Sequence, residues 1–236
     1  MHTSGVQYLL MGGQACVLYG GAEFSRDADL CLLAERQNLT RLQQALDDLQ
    51  AECIAVPPFD KKYLDMGLAI HFRCHQPEAR NLRIDVLSKM RGVDDFHALW
   101  ERRTTLTVAS EPIELMALPD LVQAKKTQRD KDWPMITRLL EANYFQNRAQ
   151  PTPQQIHFWL LQMRTPSLLI EVVRRFAAAC NDLLSRRGLL ATAQTGDEAA
   201  IQAALREEEE YEREADRLYW LPLRQELERL RREARP

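Results

Sequence analysis

The sequence predicts an α/β fold with a mixed sheet in the first two-thirds of the chain and only helices in the last third. Up to about residue 116, short apolar runs are separated by turn residues, which is typical of strands. After residue 149 no segment alternates with a period of two, and apolar residues recur at helical spacing instead. We therefore predict an α/β domain over residues 1–148 and an all-helical C-terminal domain over residues 149–236, joined by a proline-rich linker.

The strands are expected in short apolar or alternating segments bounded by turn residues. Leu82, Ile84 and Val86 alternate along one such segment, so Asp85 should point to the opposite, polar face. The segment near residue 53 is weaker, because two prolines stop it. The predicted strands are residues 6–11, 27–33, 53–56, 68–74, 82–87, 106–108 and 113–116, the last two as edge strands.

The helices are expected where apolar residues fall on one face and where helix starts or stops flank the segment. Pro119 takes the favoured first turn of its helix, whereas Pro222 should kink or split the last one. The predicted helices are residues 14–19, 39–49, 93–103, 119–129, 133–144, 154–164, 168–187 and 198–232.

Composition excludes several classes of protein. The net charge of −3 and the pI near 6.0 give no general basic field for nucleic acid. No apolar run approaches the ~18–20 residues that a bilayer span needs, and residues 1–5 lack the basic region of a signal peptide. The odd number of scattered cysteines in apolar contexts indicates reduced thiols and a cytoplasmic location. These cysteines are Cys16, Cys31, Cys53, Cys74 and Cys180.

One short segment combines a glycine pair with two acidic residues. Gly12-Gly13 leaves backbone N–H groups accessible to phosphate oxygens. Asp27 and Asp29 share one face of an extended segment, where their charges repel unless a cation lies between them. Mg²⁺ is such a cation, because it binds one or two carboxylates together with substrate phosphates. The pattern predicts metal-assisted phosphoryl or nucleotidyl transfer; a plain strand-to-helix turn with solvated acids is the simpler alternative.

These residues resemble the signature of a known superfamily. A hydrophobic residue, Gly12-Gly13, a spacer and Asp27-Ala28-Asp29-Leu30 are similar to the motif of the nucleotidyltransferase (polymerase beta-like) fold. Residues 82–87 resemble the strand that carries the third carboxylate of that fold, and residues 118–132 resemble its Asp-Leu … Lys … Arg-x-Lys-Asp helix. Within the superfamily the chain looks most like small bacterial proteins related to AbiEii-type toxins and minimal nucleotidyltransferases.

The resemblance implies a mixed sheet, a site and a reaction. The implied reaction moves a nucleoside monophosphate from an NTP to an acceptor hydroxyl on RNA, such as a tRNA 3′ end, on a protein or on a small molecule, with one or two Mg²⁺ ions. The implied catalytic and metal-binding residues are Asp27, Asp29 and Asp85. The implied nucleotide-binding residues are Gly12, Gly13, Ser25, Lys125 and Arg129. On a helix over residues 119–129, the last two would share one side.

Several alternatives remain open. Many relatives have an arginine where this chain has Glu23, which removes a positive charge beside the phosphates. The chain could therefore be a binding module that has kept the fold and lost catalysis. Asp85 could form a salt bridge with Arg83 on the same face, and the basic residues near Lys125 could form a solvated helix face.

Partners are also implied by the resemblance. Relatives commonly belong to a toxin–antitoxin or phage-defence pair, which predicts a cognate toxin or antitoxin protein. Residues 218–230 form a leucine-rich stripe with Tyr219 and Trp220, residue types that are enriched at interface cores. The alternative is that this stripe packs within the same chain, on Phe158, Leu161 and Phe176.

Overall fold

The computed structural model describes residues 4–234 of the chain and divides them into two compact units. The first unit contains the described residues of segments 1–18, 23–124 and 218–236, and the second contains residues 19–22 and 125–217. This division differs from the predicted boundary after residue 148. Whether the chain folds as the two predicted domains stays a prediction.

The first unit confirms the predicted mixed sheet, which has seven strands within the described residues. The strands are β1 (Tyr8–Met11), β2 (Asp27–Leu32), β3 (Glu52–Cys53), β4 (Ile70–Arg73), β5 (Arg83–Leu87), β6 (Thr104–Val108) and β7 (Glu111–Leu115). Their order is β3-β4-β5-β2-β1-β7-β6. β2 is parallel to β5 and β1 is parallel to β7, whereas the other neighbours are antiparallel. The edge prediction for β7 is therefore wrong, because this strand lies between β1 and β6.

The first unit also contains a helix that the sequence analysis does not predict. Its helices are α1 (Gly12–Leu18), α2 (Arg36–Asp48), α3 (Lys61–Met66), α4 (Phe96–Glu101) and α5 (Leu118–Lys125). The unpredicted α3 has caps at both ends: the Asp60 side chain accepts a hydrogen bond from the Lys62 N–H, and Gly67 ends the helix at φ 91°. Apolar periodicity cannot reveal a helix of only six residues, although both cap residues are visible in the sequence.

One face of this sheet carries a hydrophobic core. Leu30, Ile84 and Val86 pack there with Leu42 and Leu46 of α2. Because side chains alternate along a strand, the residues between them must point to the other face. The packing of one face therefore fixes which polar side chains share the opposite face.

The second unit is helical among its described residues, as the composition predicts. It contains α6 (Asp132–Asn147), α7 (Pro153–Gln162), α8 (Pro166–Arg175), α9 (Ala177–Leu183), α10 (Leu189–Thr195) and the first part of α11 (Glu198–Glu233). The single helix predicted over residues 168–187 is two helices, because Phe176 is non-helical at φ −122° and ψ 47°. No proline or glycine marks this break in the sequence. α11 continues through Pro222, so the proline does not split the helix, and the alternative of a kink at Pro222 stays a prediction.

A buried arginine connects three helices of the second unit. Arg187 is 7% exposed and donates to both carboxylate oxygens of Glu208, at 2.9 and 2.7 Å. It also donates to the carbonyl oxygens of Leu160 and Met163, which the end of α7 leaves without helical partners. A buried charge is tolerated only when it is paired in this way, so this group links α7 and α11 to the turn before α10.

The end of α11 packs within the chain, but on a different set of residues from the one that the sequence analysis names. Leu223 and Leu230 lie in a buried cluster with Tyr63 and Leu68 of the first unit, and Tyr219 packs against it. The predicted contacts with Phe158, Leu161 and Phe176 are not part of this cluster. No helix within residues 4–234 is long and apolar enough to cross a membrane.

We expect Leu223→Ala to lower the free energy of unfolding by about 2–5 kcal/mol, because it leaves a cavity in this cluster. Leu221→Ala is the matched control: the side chain is 52% exposed on the same helix, and its loss should change stability by less than about 0.5 kcal/mol. Urea unfolding followed by circular dichroism measures both. Equal midpoints for the two variants would contradict the packing described here.

Candidate functional site

Three predicted carboxylates lie on one face of the sheet. In the parallel pairing of β2 with β5, Asp29 stands opposite Asp85 and Asp27 stands opposite Arg83. Residues opposite each other on paired strands point to the same face, and so do residues at i and i+2. Asp27, Asp29 and Asp85 therefore share the face opposite the hydrophobic core. We call this surface, together with Arg83, the acidic face.

The glycine pair lies directly against this face. Met11, the last residue of β1, pairs with Asp29, so the turn into α1 begins beside that carboxylate. Gly12 has a φ of 63°, and a Cβ atom there would overlap the Asp29 carboxylate. The Gly13 N–H donates to Asp29 Oδ2 at 3.3 Å. Glycine is thus required at position 12 both by the backbone conformation and by the neighbouring acid.

The loop before β2 is held against the same turn. A Cβ atom on Gly13 would overlap Ser25 Oγ, so these two residues are in close contact. Ser25 Oγ donates to the Asp27 carbonyl oxygen at 3.3 Å, and Gln14 Nε2 donates to the Ser25 carbonyl oxygen at 2.9 Å. The structure therefore brings Gly12, Gly13 and Ser25 together with Asp29, as the sequence predicts for a nucleotide-binding turn.

Asp85 forms the salt bridge that the sequence analysis leaves open as an alternative. Arg83 Nε donates to Asp85 Oδ1 at 2.8 Å, and Arg83 Nη2 donates to Asp85 Oδ2 at 3.0 Å. His71 of β4 stands opposite Asp85 in the antiparallel pairing, with its Nδ1 2.8 Å from Asp85 Oδ1. Burial alone would raise the pKa of Asp85, but the hydrogen bonds from His71 and Arg83 outweigh it and hold the pKa below its ordinary value.

His71 is the site residue that sequence reasoning missed. In the sequence it looks like half of a zinc site with Cys74 and His75, without a second half. In the structure Cys74 is buried in the core and His75 lies 3.4 Å from Glu52. The feature that identifies His71 as part of the candidate site is the pairing of β4 with β5, which places it opposite Asp85. Pairing register between strands is not visible in single-strand periodicity.

Lys125 and Arg129 do not share one side of a helix, so that prediction is wrong. α5 ends at Lys125, because the segment after it is bound by side chains: Asp132 Oδ2 accepts from Thr127 Oγ1 at 2.6 Å, and Trp133 Nε1 donates to the Thr127 carbonyl oxygen at 2.9 Å. Both basic residues instead pair with Asp132, at 3.3 Å from Lys125 and 2.7 Å from Arg129. Whether they also contact a nucleotide stays a prediction.

Asp132 is the acid that pairs with both Lys125 and Arg129 in the second unit. Its side chain is only 3% exposed. Burial would raise its pKa, but the charge of Lys125, the Thr127 hydroxyl and Arg129 outweigh this effect and lower the pKa below its ordinary value. Asp132 is thus a structural acid that orders the segment after α5.

The fit of a divalent metal can be tested on these contacts. Within residues 4–234 no three side chains of His, Cys, Asp or Glu converge into a metal-binding group. Whether Asp85 also binds the metal stays a prediction, because the contacts from Arg83 and His71 compete for the lone pairs of its oxygens. Asp27 and Asp29 do fit, since Mg²⁺ binds proteins through one or two carboxylates and takes its remaining ligands from water and substrate phosphates.

The two solved structures described below are distant likenesses of this chain. No protein-family model and no curated protein matches this chain. Among solved structures, the chain is similar to an antigenic nucleotidyltransferase-like protein from Paracoccidioides brasiliensis, with 18% identity and a TM-score of 0.41, over 83% of this chain and 87% of that one. It is also similar to the lincomycin-bound lincosamide antibiotic adenylyltransferase LnuA, with 15% identity and a TM-score of 0.40, over 58% of this chain and 88% of that one.

We expect Gly12→Ala to destabilise the protein by more than about 2 kcal/mol, because alanine strains the positive φ and overlaps the Asp29 carboxylate. Gly188→Ala is the control, since a Cβ atom there meets nothing within 4 Å and its φ is negative. That control should be neutral or slightly stabilising. Thermal unfolding distinguishes the two, and an unchanged transition in Gly12→Ala would contradict the close approach of Gly12 to Asp29.

Proposed function

We propose that this chain is a metal-dependent nucleotidyltransferase. The single observation that supports the proposal best is the contact of the glycine turn with the acidic face. Gly12 and Gly13 lie against Asp29, and Asp27 lies on the same face two residues earlier. A glycine-rich turn beside paired carboxylates can approach a triphosphate with backbone and hold its charge with a metal.

The proposed reaction is an in-line displacement at the α-phosphorus of an NTP. The oxygen of an acceptor hydroxyl forms a bond to this phosphorus, the bond between the α- and β-phosphates breaks, and pyrophosphate leaves. The hydroxyl proton passes to a base or to solvent. The acceptor is an RNA end, a protein side chain or a small molecule. What the chain must supply is orientation of two substrates and compensation of negative charge.

Asp27 and Asp29 would hold Mg²⁺ together with the phosphate oxygens. Bound there, the ion would supply positive charge at the transferring phosphoryl group. Asp85 is poorly suited to take the proton of the acceptor hydroxyl, because a carboxylate with a lowered pKa is a weak base at neutral pH. We propose that Asp85 orients His71 and Arg83 beside the acceptor.

The nucleotide would bind the turn formed by Gly12, Gly13 and Ser25. The Gly13 N–H donates to Asp29 in the structure, so it orders that carboxylate. Contact of this N–H with the β- or γ-phosphate would require it to exchange partners. Lys125 and Arg129 would have to leave Asp132 in the same way, which makes them the weaker candidates.

A paired toxin–antitoxin or phage-defence role is a further part of the proposal. The leucine-rich stripe of α11 gives it less support than the sequence suggests, because Leu223 and Leu230 are buried within the chain. Leu218 and Leu221 remain exposed on that helix at 59% and 52%. A cognate protein would therefore have to bind outside the buried side of α11.

The second candidate is a nucleotidyltransferase-like module without catalysis. Glu23 motivates it, because this exposed acid precedes Ser25 in the loop that lies against Gly13. A negative charge at this point weakens triphosphate binding unless a cation compensates it. The two candidates differ in nucleotide affinity: the enzyme binds at least one NTP with Mg²⁺ at micromolar concentration, and the module binds none.

The test is transfer of label from each of the four α-³²P-labelled NTPs in the presence of Mg²⁺ and cell extract. We expect labelled product with the wild-type protein, and at least about 100-fold less with the double variant Asp27→Asn/Asp29→Asn, because the metal contribution is several kcal/mol. The matched control is Asp47→Asn/Asp48→Asn, which removes two exposed acids from α2 and should leave the rate unchanged.

Two results would contradict the proposal. Equal labelling by the wild type and the Asp27→Asn/Asp29→Asn variant would show that the acidic face does not carry the reaction. Absence of binding by the wild type to all four Mg²⁺·NTP complexes in calorimetry would favour the module without catalysis.

A further inference from the structure

Arg83 places a positive charge on the acidic face itself. Its guanidinium makes two parallel hydrogen bonds to Asp85, at 2.8 and 3.0 Å. Such a fork-shaped contact fixes the position of the guanidinium as well as its charge. In the sheet, Arg83 stands directly opposite Asp27 on the neighbouring strand, so the two side chains point to the same face.

The charge of Arg83 acts on all three carboxylates. Arg83 contacts Asp85 directly and stands opposite Asp27, and Asp29, which stands opposite Asp85, lies on the same face. The three acids attract this cation as they would attract a bound metal ion. The attraction is reciprocal, because the cation lowers the negative potential that the acids present to any second cation.

His71 contacts both Asp85 and Arg83. Its Nδ1 atom lies 2.8 Å from Asp85 Oδ1 and 3.1 Å from Arg83 Nη2. The Asp85 side chain is 13% exposed, so solvent has little access to its oxygens. The oxygens of Asp85 already accept contacts from Arg83 and His71, and these contacts compete with a metal ion for their lone pairs.

We propose that Arg83 is a resident counter-cation, which compensates the acidic face in the nucleotide-free protein and weakens its binding of a free divalent cation. The inference rests on the proposed function only for the assignment of Asp27 and Asp29 as metal-binding residues. On this basis a divalent cation binds tightly only when it arrives with phosphate oxygens as additional ligands. Arg83 is a positioning residue, because it acts through Asp85 and through its charge.

The test is binding of Mn²⁺ alone to the full-length protein without nucleotide, measured by the loss of the free-ion signal in electron paramagnetic resonance. We expect Arg83→Gln to bind Mn²⁺ at least about tenfold more tightly than the wild type, because a positive charge on the same face as Asp27 and Asp29 is removed. Arg83→Lys keeps the charge but loses the fork-shaped contact, and we expect its affinity to stay within about threefold of the wild type.

A matched control lies beside the same sheet, immediately before β6. Arg103 donates to Glu114 at 2.8 Å, and this pair has side-chain exposures of 31% and 19%, similar to the 37% and 13% of Arg83 and Asp85. Arg103→Gln should leave Mn²⁺ affinity unchanged. Adding Asp27→Asn/Asp29→Asn to Arg83→Gln should abolish the gain in affinity.

Three results would overturn the proposal: unchanged affinity in Arg83→Gln, equal gains in Arg83→Gln and Arg103→Gln, or a gain in Arg83→Lys as large as in Arg83→Gln. The last variant also decides the question if Arg83→Gln does not fold, since a charge-retaining variant with increased affinity contradicts a role for the charge. Failure of the wild type to transfer nucleotides would overturn the proposed function and leave this binding result unaffected.

Discussion

The parallel pairing of β2 with β5 places Asp29 opposite Asp85 and Asp27 opposite Arg83. Three like charges on one face are unfavourable, and their repulsion must be compensated within the fold or by a ligand. The fork-shaped contact between Arg83 and Asp85 supplies part of this compensation. The arrangement is possible because Leu30, Ile84 and Val86, the intervening residues, bury the other face of the same strands. A shift of one residue in register would move the acids into that core.

The glycine turn depends on the same face. Gly12 adopts a positive φ at a position where a side chain would overlap Asp29, so the backbone conformation and the neighbouring acid both favour glycine there. The N–H of Gly13 then donates to Asp29, and Ser25 packs against Gly13. Rigid support of this kind matters for transfer chemistry, because most of the available acceleration comes from fixed orientation and from prearranged charge.

The sequence predicted the sheet and the composition of its acidic face, because alternation within a strand is a local property. It did not predict the contacts of His71, since these depend on which strands are neighbours and in what register. It misplaced the end of α5, because Thr127 and Asp132 fix the following segment through side-chain hydrogen bonds rather than through a proline or glycine. Local propensity likewise does not reveal the break at Phe176 or the continuity through Pro222.

The central claim is that the glycine turn and the acidic face form one nucleotide-binding site. The most direct measurement follows the backbone amide resonances of Gly12, Gly13 and Ser25 during titration with Mg²⁺ and non-hydrolysable analogues of each NTP. We expect these resonances to shift with at least one analogue, whereas those of Gly188 and Gly196 should not. Unchanged resonances at Gly12, Gly13 and Ser25 with saturating amounts of every analogue would contradict the central claim.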